Sequence, residues 1–180
     1  MATDAVLSMT HTVQTCIKSG WVAGLLLFDI QGFFDNLHVG RLVHIFSLLS
    51  FAPFLCDWVC SFLTDRCITL TFNGEPLPKI VLNHGTPQGL PLLPILSALY
   101  ILPLLHHSEA WRFKSLSSYV DDGAIVATGA THQAMLQKCA DSFYIVTDWL
   151  MRNSLQIDPN KTEFIAFQPR CASVACVGAL

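Results

Sequence analysis

The tetrapeptide Tyr119-Val120-Asp121-Asp122 lies between two β-prone segments and constrains the fold more than any other feature of this chain. Phe113 to Ser118 precede it, and the small apolar run Gly123 to Ala127 follows it. Two such segments around a short acidic turn predict a β-hairpin whose tip carries two adjacent carboxylates. Because adjacent negative charges repel, the pair predicts a cation against it, and carboxylate oxygens suit a divalent metal ion. An acidic turn by itself is equally compatible with a solvated surface loop.

The composition predicts one domain, or a fragment of a larger one, with a large apolar core. The 180 residues are 52% hydrophobic and 13% charged, and their formal net charge is −3. Such a chain has little polar surface, so we expect some apolar surface to meet another segment. A nucleic-acid role needs local positive charge or further parts, because the chain lacks an overall basic balance. The seven cysteines are irregularly spaced and predict reduced thiols in an intracellular protein, in the cytoplasm or the nucleus.

One apolar stretch resembles a membrane-spanning segment. No formally charged residue lies between Lys79 and Glu109, and Leu90 to Leu105 is almost entirely apolar. The interior prolines favour a buried core helix over a spanning one, and we expect no membrane partner.

The order of the elements predicts an α+β fold. The apolar run from Ala23 to Phe28 is typical of a buried strand and ends at Asp29. Helical patterns follow, then the acidic hairpin, an amphipathic helix from Thr131 to Arg152, and short strands on either side of Pro159. An antiparallel sheet with helices on one face accommodates this order. In such a sheet Asp29 can lie beside the hairpin tip.

Three converging carboxylates, Asp29, Asp121 and Asp122, indicate a site for a hard metal ion and phosphoryl chemistry. Two metal ions in such a site stabilise the attacking and the leaving oxygens of an in-line displacement. Asp29 and Asp121 are the expected bridging ligands, with Asp122 as an auxiliary ligand.

Four segments, in order, resemble the polymerase motifs of reverse transcriptases, especially those of non-LTR (LINE-like) retrotransposons and group II introns. They cover most of residues 24–168 and are Phe28-Asp29-Ile30-Gln31-Gly32-Phe33-Phe34-Asp35-Asn36-Leu37, Gly85-Thr86-Pro87-Gln88-Gly89-Leu90-Pro91-Leu92-Leu93-Pro94, Tyr119-Val120-Asp121-Asp122 and Leu155-x₅-Lys161-Thr162-Glu163. Trp58-x₃-Phe62-Leu63-x₂-Arg66 also resembles the family between its first two motifs.

The resemblance implies a polymerase palm, a ferredoxin-like antiparallel sheet, in which the fingers are reduced and the thumb is missing. We expect an N-terminal helix that is a remnant of the fingers at residues 1–20, the palm at residues 21–169 and a frayed tail at residues 170–180. The implied activity is RNA-directed DNA polymerase. The implied partners are an RNA template, a DNA primer, a dNTP and finger and thumb segments of a parent polyprotein. The implied cofactor is a pair of Mg²⁺ ions, with Mn²⁺ as an alternative.

The resemblance also implies roles for single residues. The metal ligands are Asp29, Asp121 and Asp122, with the Ile30 carbonyl as a backbone ligand. The remaining roles concern the nucleotide: Phe34 packs under the sugar and rejects a 2′-hydroxyl, Gln88 and Gly89 position the nucleotide, and Lys161 contacts the triphosphate or protonates the leaving pyrophosphate.

The chain also departs from the family. Leu90 and Leu93 stand where serine is usual, and Phe33 stands where alanine is usual. Large apolar residues there are expected to affect the nucleotide pocket. Two alternatives therefore stay open: a catalytically inactive relic that acts at most as a binding module, and a small membrane protein built on residues 90–105.

Overall fold

The computed structural model describes residues 2–82, 84–87, 89–110 and 116–169. Along these residues six helices and eight strands follow one another. Their bounds in chain order are α1 Ala2–Lys18, β1 Val22–Gln31, α2 Phe33–Asn36, α3 Val39–Leu48, α4 Pro53–Leu63, β2 Arg66–Ile68, β3 Thr71–Phe72, β4 Glu75–Pro76, β5 Ile80–Leu82, α5 Leu93–Ala110, β6 Leu116–Tyr119, β7 Asp122–Gly129, α6 His132–Arg152 and β8 Gln156–Phe167. The predicted tail at residues 170–180 lies outside the described residues.

The main sheet has four strands in the order β6-β7-β1-β8, and each neighbouring pair is antiparallel. The strand β1 is central because its run of apolar residues can be covered on both faces. It pairs with β7 along Val22–Asp29 and with β8 along Ala23–Gln31. Two small ladders, β2 with β5 and β3 with β4, lie outside this sheet.

The core fills the space between the sheet and the helices α3 to α6. Leu26, Phe28 and Ile30 alternate along β1 and pack into this core. The helices contribute fully buried side chains, such as Leu42 from α3, Tyr100 from α5 and Leu150 from α6. Thr131 caps α6, since its hydroxyl accepts a hydrogen bond from the Ala134 N–H at 3.2 Å.

The helix α1 lies against the other face of the sheet. Leu27 and Ala124 are cross-strand partners, so their side chains share the face opposite to Leu26 and Phe28. Val6 and Met9 of α1 line one cavity with these two residues. The sheet is thus covered by α3 to α6 on one face and, in part, by α1 on the face that carries Asp29.

Two predicted strands differ from the structure. The alternating residues Ile68 to Phe72 predict one strand, but the structure divides them between the β2–β5 and the β3–β4 ladders, and Pro78 lies between β4 and β5. The strands predicted on either side of Pro159 are instead one strand, β8. A bulge in β8 accommodates the extra residues, since Glu163 pairs with Leu27 but Asp158 already pairs with Asp29.

The predicted α+β class is confirmed, and so is the buried helix after residue 90. Leu93, Leu96, Ile101 and Leu104 of α5 are each at most 4% exposed. Among the described residues, no helix is both long and apolar enough to cross a membrane.

Candidate active site

The hairpin tip is a two-residue turn closed by Tyr119 and Asp122, the last paired residues of β6 and β7. Val120 and Asp121 form the turn, and Val120 has a φ of 61°. A positive φ at the first turn position alone is the pattern of a type II′ turn, which follows the twist of the flanking strands. A β-branched residue is disfavoured in that region, so the surrounding ladder must hold Val120 there. The turn presents Asp121 and Asp122 at the end of the hairpin.

The register of the sheet brings Asp29 to this tip. Asp29 of β1 lies directly opposite Asp122 of β7. The next residue, Ile30, donates its N–H to the carbonyl of Asp121 at 2.9 Å. The structure therefore brings Asp29, Asp121 and Asp122 together, and the carboxylate that faces Asp29 across the ladder is Asp122, while Asp121 lies in the turn.

Asp158, on the other side of β1, is an acidic neighbour that the sequence interpretation missed. It pairs with Asp29 in the β1–β8 ladder. Asp122, Asp29 and Asp158 thus form a row across three adjacent strands. The position of Asp158, three residues before Lys161, could have indicated that it lies near the site. The sequence predicts two separate strands around Pro159, however, and this prediction leaves Asp158 at a strand end without a partner.

Lys161 lies on the bulge of β8 and points toward Asp29. The Lys161 Nζ lies 3.1 Å from the Asp29 Oδ2. The hydrogen bond with Asp29 and the charge of Asp29 raise the pKa of Lys161, and the charges of Asp158 and Asp121 add to the rise. The bulge is stabilised locally, because the Asn160 N–H donates to the Asp158 Oδ1 at 2.9 Å and the Thr162 hydroxyl donates to the Asp158 carbonyl at 2.9 Å.

One ammonium does not neutralise this acidic row. Burial raises the pKa of Asp122, and the negative charges of Asp121 and Asp29 raise it further, whereas Lys161 lowers it. The balance favours a further cation near Asp122.

The donor set fits a hard divalent ion. Within the described ranges, no group of three or more His, Cys, Asp or Glu side chains is arranged to hold a metal ion. Mg²⁺ often takes only one or two carboxylates and keeps waters or substrate phosphates as its other ligands. Asp29 and Asp122, which face each other across the ladder, therefore suit such an ion.

The predicted nucleotide-side residues have different environments. The Ile30 side chain is 3% exposed, so only its backbone can serve the site. Phe34 is half-buried and packs edge-on against Phe33, with ring centroids 5.5 Å apart. Gly89 has a φ of 88°, and a Cβ there would meet nothing within 4 Å. Glycine is thus required at position 89 by the backbone conformation and not by a close approach. Gln88 lies outside the described residues.

Two of the three unusual large residues are accommodated in the core. Phe33 is 2% exposed and Leu93 is 4% exposed. Phe33 packs edge-on against the ring of Tyr100 in the core, at a centroid distance of 6.1 Å. Leu90 is half-buried. The bulk of Phe33 and Leu93 therefore contributes to packing.

A cavity of about 360 Å³ lies beside the acidic residues. Its lining includes Asp122, Lys161 and Tyr119 from the site and Val6 and Met9 from α1. The site therefore combines a charged rim with an apolar wall.

The fold and the acidic site together define the palm of a nucleic-acid polymerase. The chain superimposes on solved telomerase structures with identities that establish likeness of fold alone. The apo telomerase of Candida tropicalis, truncated from its C-terminal domain, matches with a TM-score of 0.68 and 17% identity over 94% of this chain and 35% of that one. The telomerase of Candida albicans in complex with a TWJ fragment of telomeric RNA matches with a TM-score of 0.71 and 12% identity over 92% of this chain and 31% of that one. The chain thus spans about a third of the length of these telomerases.

The family follows from the sequence. Residues 5–175 match the family model described as reverse transcriptase (RNA-dependent DNA polymerase). The chain belongs to this family, whose members generally use divalent metal ions. No curated protein matches its sequence.

Proposed function

We propose that the chain is the palm portion of an RNA-directed DNA polymerase, which adds deoxynucleotides to a primer 3′-hydroxyl on an RNA template. The observation that carries the proposal is the placement of Asp29 opposite Asp122, with Asp121 in the adjacent turn and Lys161 at 3.1 Å from Asp29. Membership of the reverse transcriptase family supports this chemistry. The palm comprises residues 21–169, and α1 is a remnant of the fingers.

In this proposal Asp29 and Asp121 would hold two Mg²⁺ ions, with Asp122 and the Ile30 carbonyl as further ligands; Mn²⁺ could replace Mg²⁺. Such ions, when bound, stabilise the attacking and the leaving oxygens of an in-line displacement. The carboxylates supply the negative charge that would retain the ions, and the ladder between β1 and β7 fixes Asp29 opposite Asp122, next to the turn that carries Asp121. The rigidity of this ladder favours catalysis because the ligands need not reorganise during the reaction.

The remaining residues act on the nucleotide. The acidic neighbours raise the pKa of Lys161, so its ammonium stays charged and can contact the triphosphate. Its second proposed role is to donate a proton to the departing pyrophosphate. Phe34 leaves no room for a 2′-hydroxyl and so selects deoxynucleotides. Gln88 and Gly89 position the incoming nucleotide against the template base.

The source that the motifs support best is a retrotransposon of the non-LTR type or a group II intron. The segment Phe28–Leu37 and the Lys161-Thr162-Glu163 sequence carry this assignment. The likeness to telomerases is compatible with this source. Identities of 12–17% establish a shared fold and say nothing about the substrate.

Primer extension on an RNA template tests the proposal, with the wild type compared with Asp29→Asn and Asp121→Asn. Each variant is expected to lose about a thousandfold or more in rate, because bound metal ions contribute several kcal/mol to catalysis. Asp57→Asn on α4 is the control, since it removes one exposed carboxylate that is not part of the acidic row. Undiminished extension by Asp29→Asn would contradict the proposed site.

A binding module without synthesis is the second candidate. It is favoured by the large apolar Leu90, which stands where the family's motif usually has serine. It predicts that an RNA–DNA duplex binds the wild type and Asp29→Asn equally, with no extension by either.

A further inference from the structure

The Arg66 guanidinium connects two segments that are distant in sequence. Its Nε donates to the carbonyl of Leu63, the last residue of α4, at 3.0 Å. Its Nη2 donates to the carbonyls of His84 and Gly85, at 3.0 and 2.5 Å. One half-buried side chain at the start of β2 therefore binds three backbone carbonyls, two of them in the loop of residues 84–87.

The same loop rests on the backbone around α2. The Gly85 N–H donates to the Leu37 carbonyl at 2.9 Å, and the Thr86 N–H donates to the Phe34 carbonyl at 2.7 Å. The Thr86 hydroxyl also donates to the Phe34 carbonyl, at 3.3 Å. A Cβ on Gly85 would lie 2.8 Å from the Asp35 carbonyl oxygen, so only glycine permits this approach.

These hydrogen bonds connect Arg66, through the loop, to the backbone of Phe34. We infer that Arg66 is a positioning residue, which holds the loop of residues 84–87 against α2 and thereby sets the place of Phe34 relative to the incoming nucleotide. The inference deepens the proposed function and rests on it. Its physical basis is two sets of hydrogen bonds. The Arg66 guanidinium donates to carbonyls of the loop, and the Thr86 N–H and hydroxyl of the same loop donate to the Phe34 carbonyl.

The loop depends on this side chain for two reasons. Gly85 within the loop and Gly89 after it both have a positive φ, and glycine imposes little conformational restriction of its own. A cleft of about 700 Å³, lined by Arg66, His84 and Thr86 among others, lies beside the loop, and His84 is exposed. Hydrogen bonds to a charged donor are stronger than neutral ones, so the guanidinium contributes much of the restraint.

Arginine is required here because its donors have a fixed planar arrangement. A lysine supplies a point charge on a flexible stem and cannot bind the Leu63, His84 and Gly85 carbonyls in the same geometry. Arg66→Lys therefore keeps the charge and removes the connection, while Arg66→Ala removes both.

Hydrogen exchange measures the restraint without any enzymatic activity. The Gly85 and Thr86 amides are expected to exchange at least about tenfold faster in both Arg66 variants, because charge-assisted hydrogen bonds that hold the loop are lost. Amides in α6 should keep their wild-type protection. Lys79→Ala, which removes an exposed cation between β4 and β5, is the matched control and should leave all these amides unchanged.

Unchanged exchange at Gly85 and Thr86 in both variants would overturn the inference. Loss of protection in α6 as well, in Arg66→Lys and in Arg66→Ala, would also overturn it, because Arg66 would then support the whole fold and not the loop.

Steady-state primer extension gives the functional readout. Arg66→Lys is expected to raise KM for the dNTP about ten- to a hundredfold with kcat little changed, because a displaced loop misplaces the nucleotide before chemistry. The preference for dNTP over rNTP should fall in parallel, through Phe34. Faster loop exchange without a change in KM or in this preference would overturn the positioning role. Lack of extension by the wild type would count against the proposed polymerase, and the exchange data would still decide whether Arg66 holds the loop.

Discussion

At the scale of single residues, the acidic row is electrostatically unbalanced. Asp122 lies opposite Asp29 and next to Asp121. Burial and these two charges raise the pKa of Asp122. Lys161 balances mainly Asp29, with which it forms the ion pair. The metal-free chain therefore carries an unfavourable charge near Asp122 at neutral pH.

Asp122→Asn is expected to raise the stability of the metal-free chain at pH 7. The folded state binds the Asp122 proton more tightly than the unfolded state does. The stabilising contribution of Asp122 is therefore fully present below its ordinary pKa of 3.8 and is lost as the pH rises through the higher pKa of the folded state. Thermal unfolding from pH 3 to pH 8 would show the difference from the wild type growing with pH.

Asp57→Asn provides the control for that experiment, because it removes one exposed carboxylate from α4. If Asp122→Asn raised the thermal stability no more than Asp57→Asn does, the proposed charge imbalance at Asp122 would be contradicted. Added Mg²⁺ should stabilise the wild type more than Asp122→Asn, since Asp122 is a proposed ligand.

At the scale of elements, close packing between β1 and β7 holds the acidic residues in register. Gly123 follows Asp122, and its cross-strand partner Phe28 precedes Asp29. A Cβ on Gly123 would overlap the ring of Phe28, which is 4% exposed. The ring also packs edge-on against Phe143 of α6, at a centroid distance of 6.2 Å. The glycine thus permits a large aromatic side chain to cross beneath the site.

Gly123→Ala is expected to lower the free energy of unfolding by about 1–3 kcal/mol, because the Phe28 ring or the strand must move. Denaturant unfolding monitored by circular dichroism measures this change. Combining it with Phe28→Leu should recover part of the loss, since the smaller side chain relieves the overlap.

Gly40→Ala in α3 is the matched control. Position 40 is exposed, and the nearest atom to a Cβ there is in the His38 side chain at 3.4 Å. Alanine favours the helix by up to about 1 kcal/mol, so this variant should be slightly more stable. Equal losses from the two alanine substitutions would indicate that the Phe28 contact is not the cause.

Elements of this chain were predictable where the pattern is local. The acidic hairpin, the strand after Trp21 and the helix α6 follow from the acidic turn between β-prone segments, an apolar run and an amphipathic pattern. The continuity of β8 was not predictable, because Pro159 usually ends a strand and only pairing with β1 carries the chain past it.

At the scale of the whole molecule, exposed apolar side chains concentrate in one part of the chain. Residues 48–81 contain many of them, namely Leu48, Leu49, Phe51, Phe54, Trp58, Ile68, Leu70, Phe72, Leu77, Ile80 and Val81. This concentration agrees with the expectation from the composition that the chain has too little polar surface to cover its apolar residues. Large exposed apolar patches promote association.

Phe54→Ser and Phe72→Ser together are expected to reduce self-association and the binding of a hydrophobic dye. The two side chains are 68% and 69% exposed, so the free energy of unfolding should change by only about 0.5 kcal/mol or less per site. Sedimentation velocity and dye fluorescence measure the two effects.

Leu150→Ala is the contrasting variant, because Leu150 is fully buried. It should lower the free energy of unfolding by about 2–5 kcal/mol. Unchanged self-association in the Phe54→Ser, Phe72→Ser double variant would mean that the exposed side chains of residues 48–81 are not the cause.

The sequence by itself determined the acidic hairpin, the central strand that ends at Asp29, the order of the motifs and hence the family. These depend on periodicity, turn propensity and short motifs, which neighbouring residues encode. Only the tertiary structure decided that Asp122 faces Asp29, that Asp158 lies on the other side, that a bulge directs Lys161 to Asp29 and that Arg66 binds the loop of residues 84–87. The reason is that strand register and bulges are set by packing between segments distant in sequence, where a shift of one residue would turn every side chain to the opposite face.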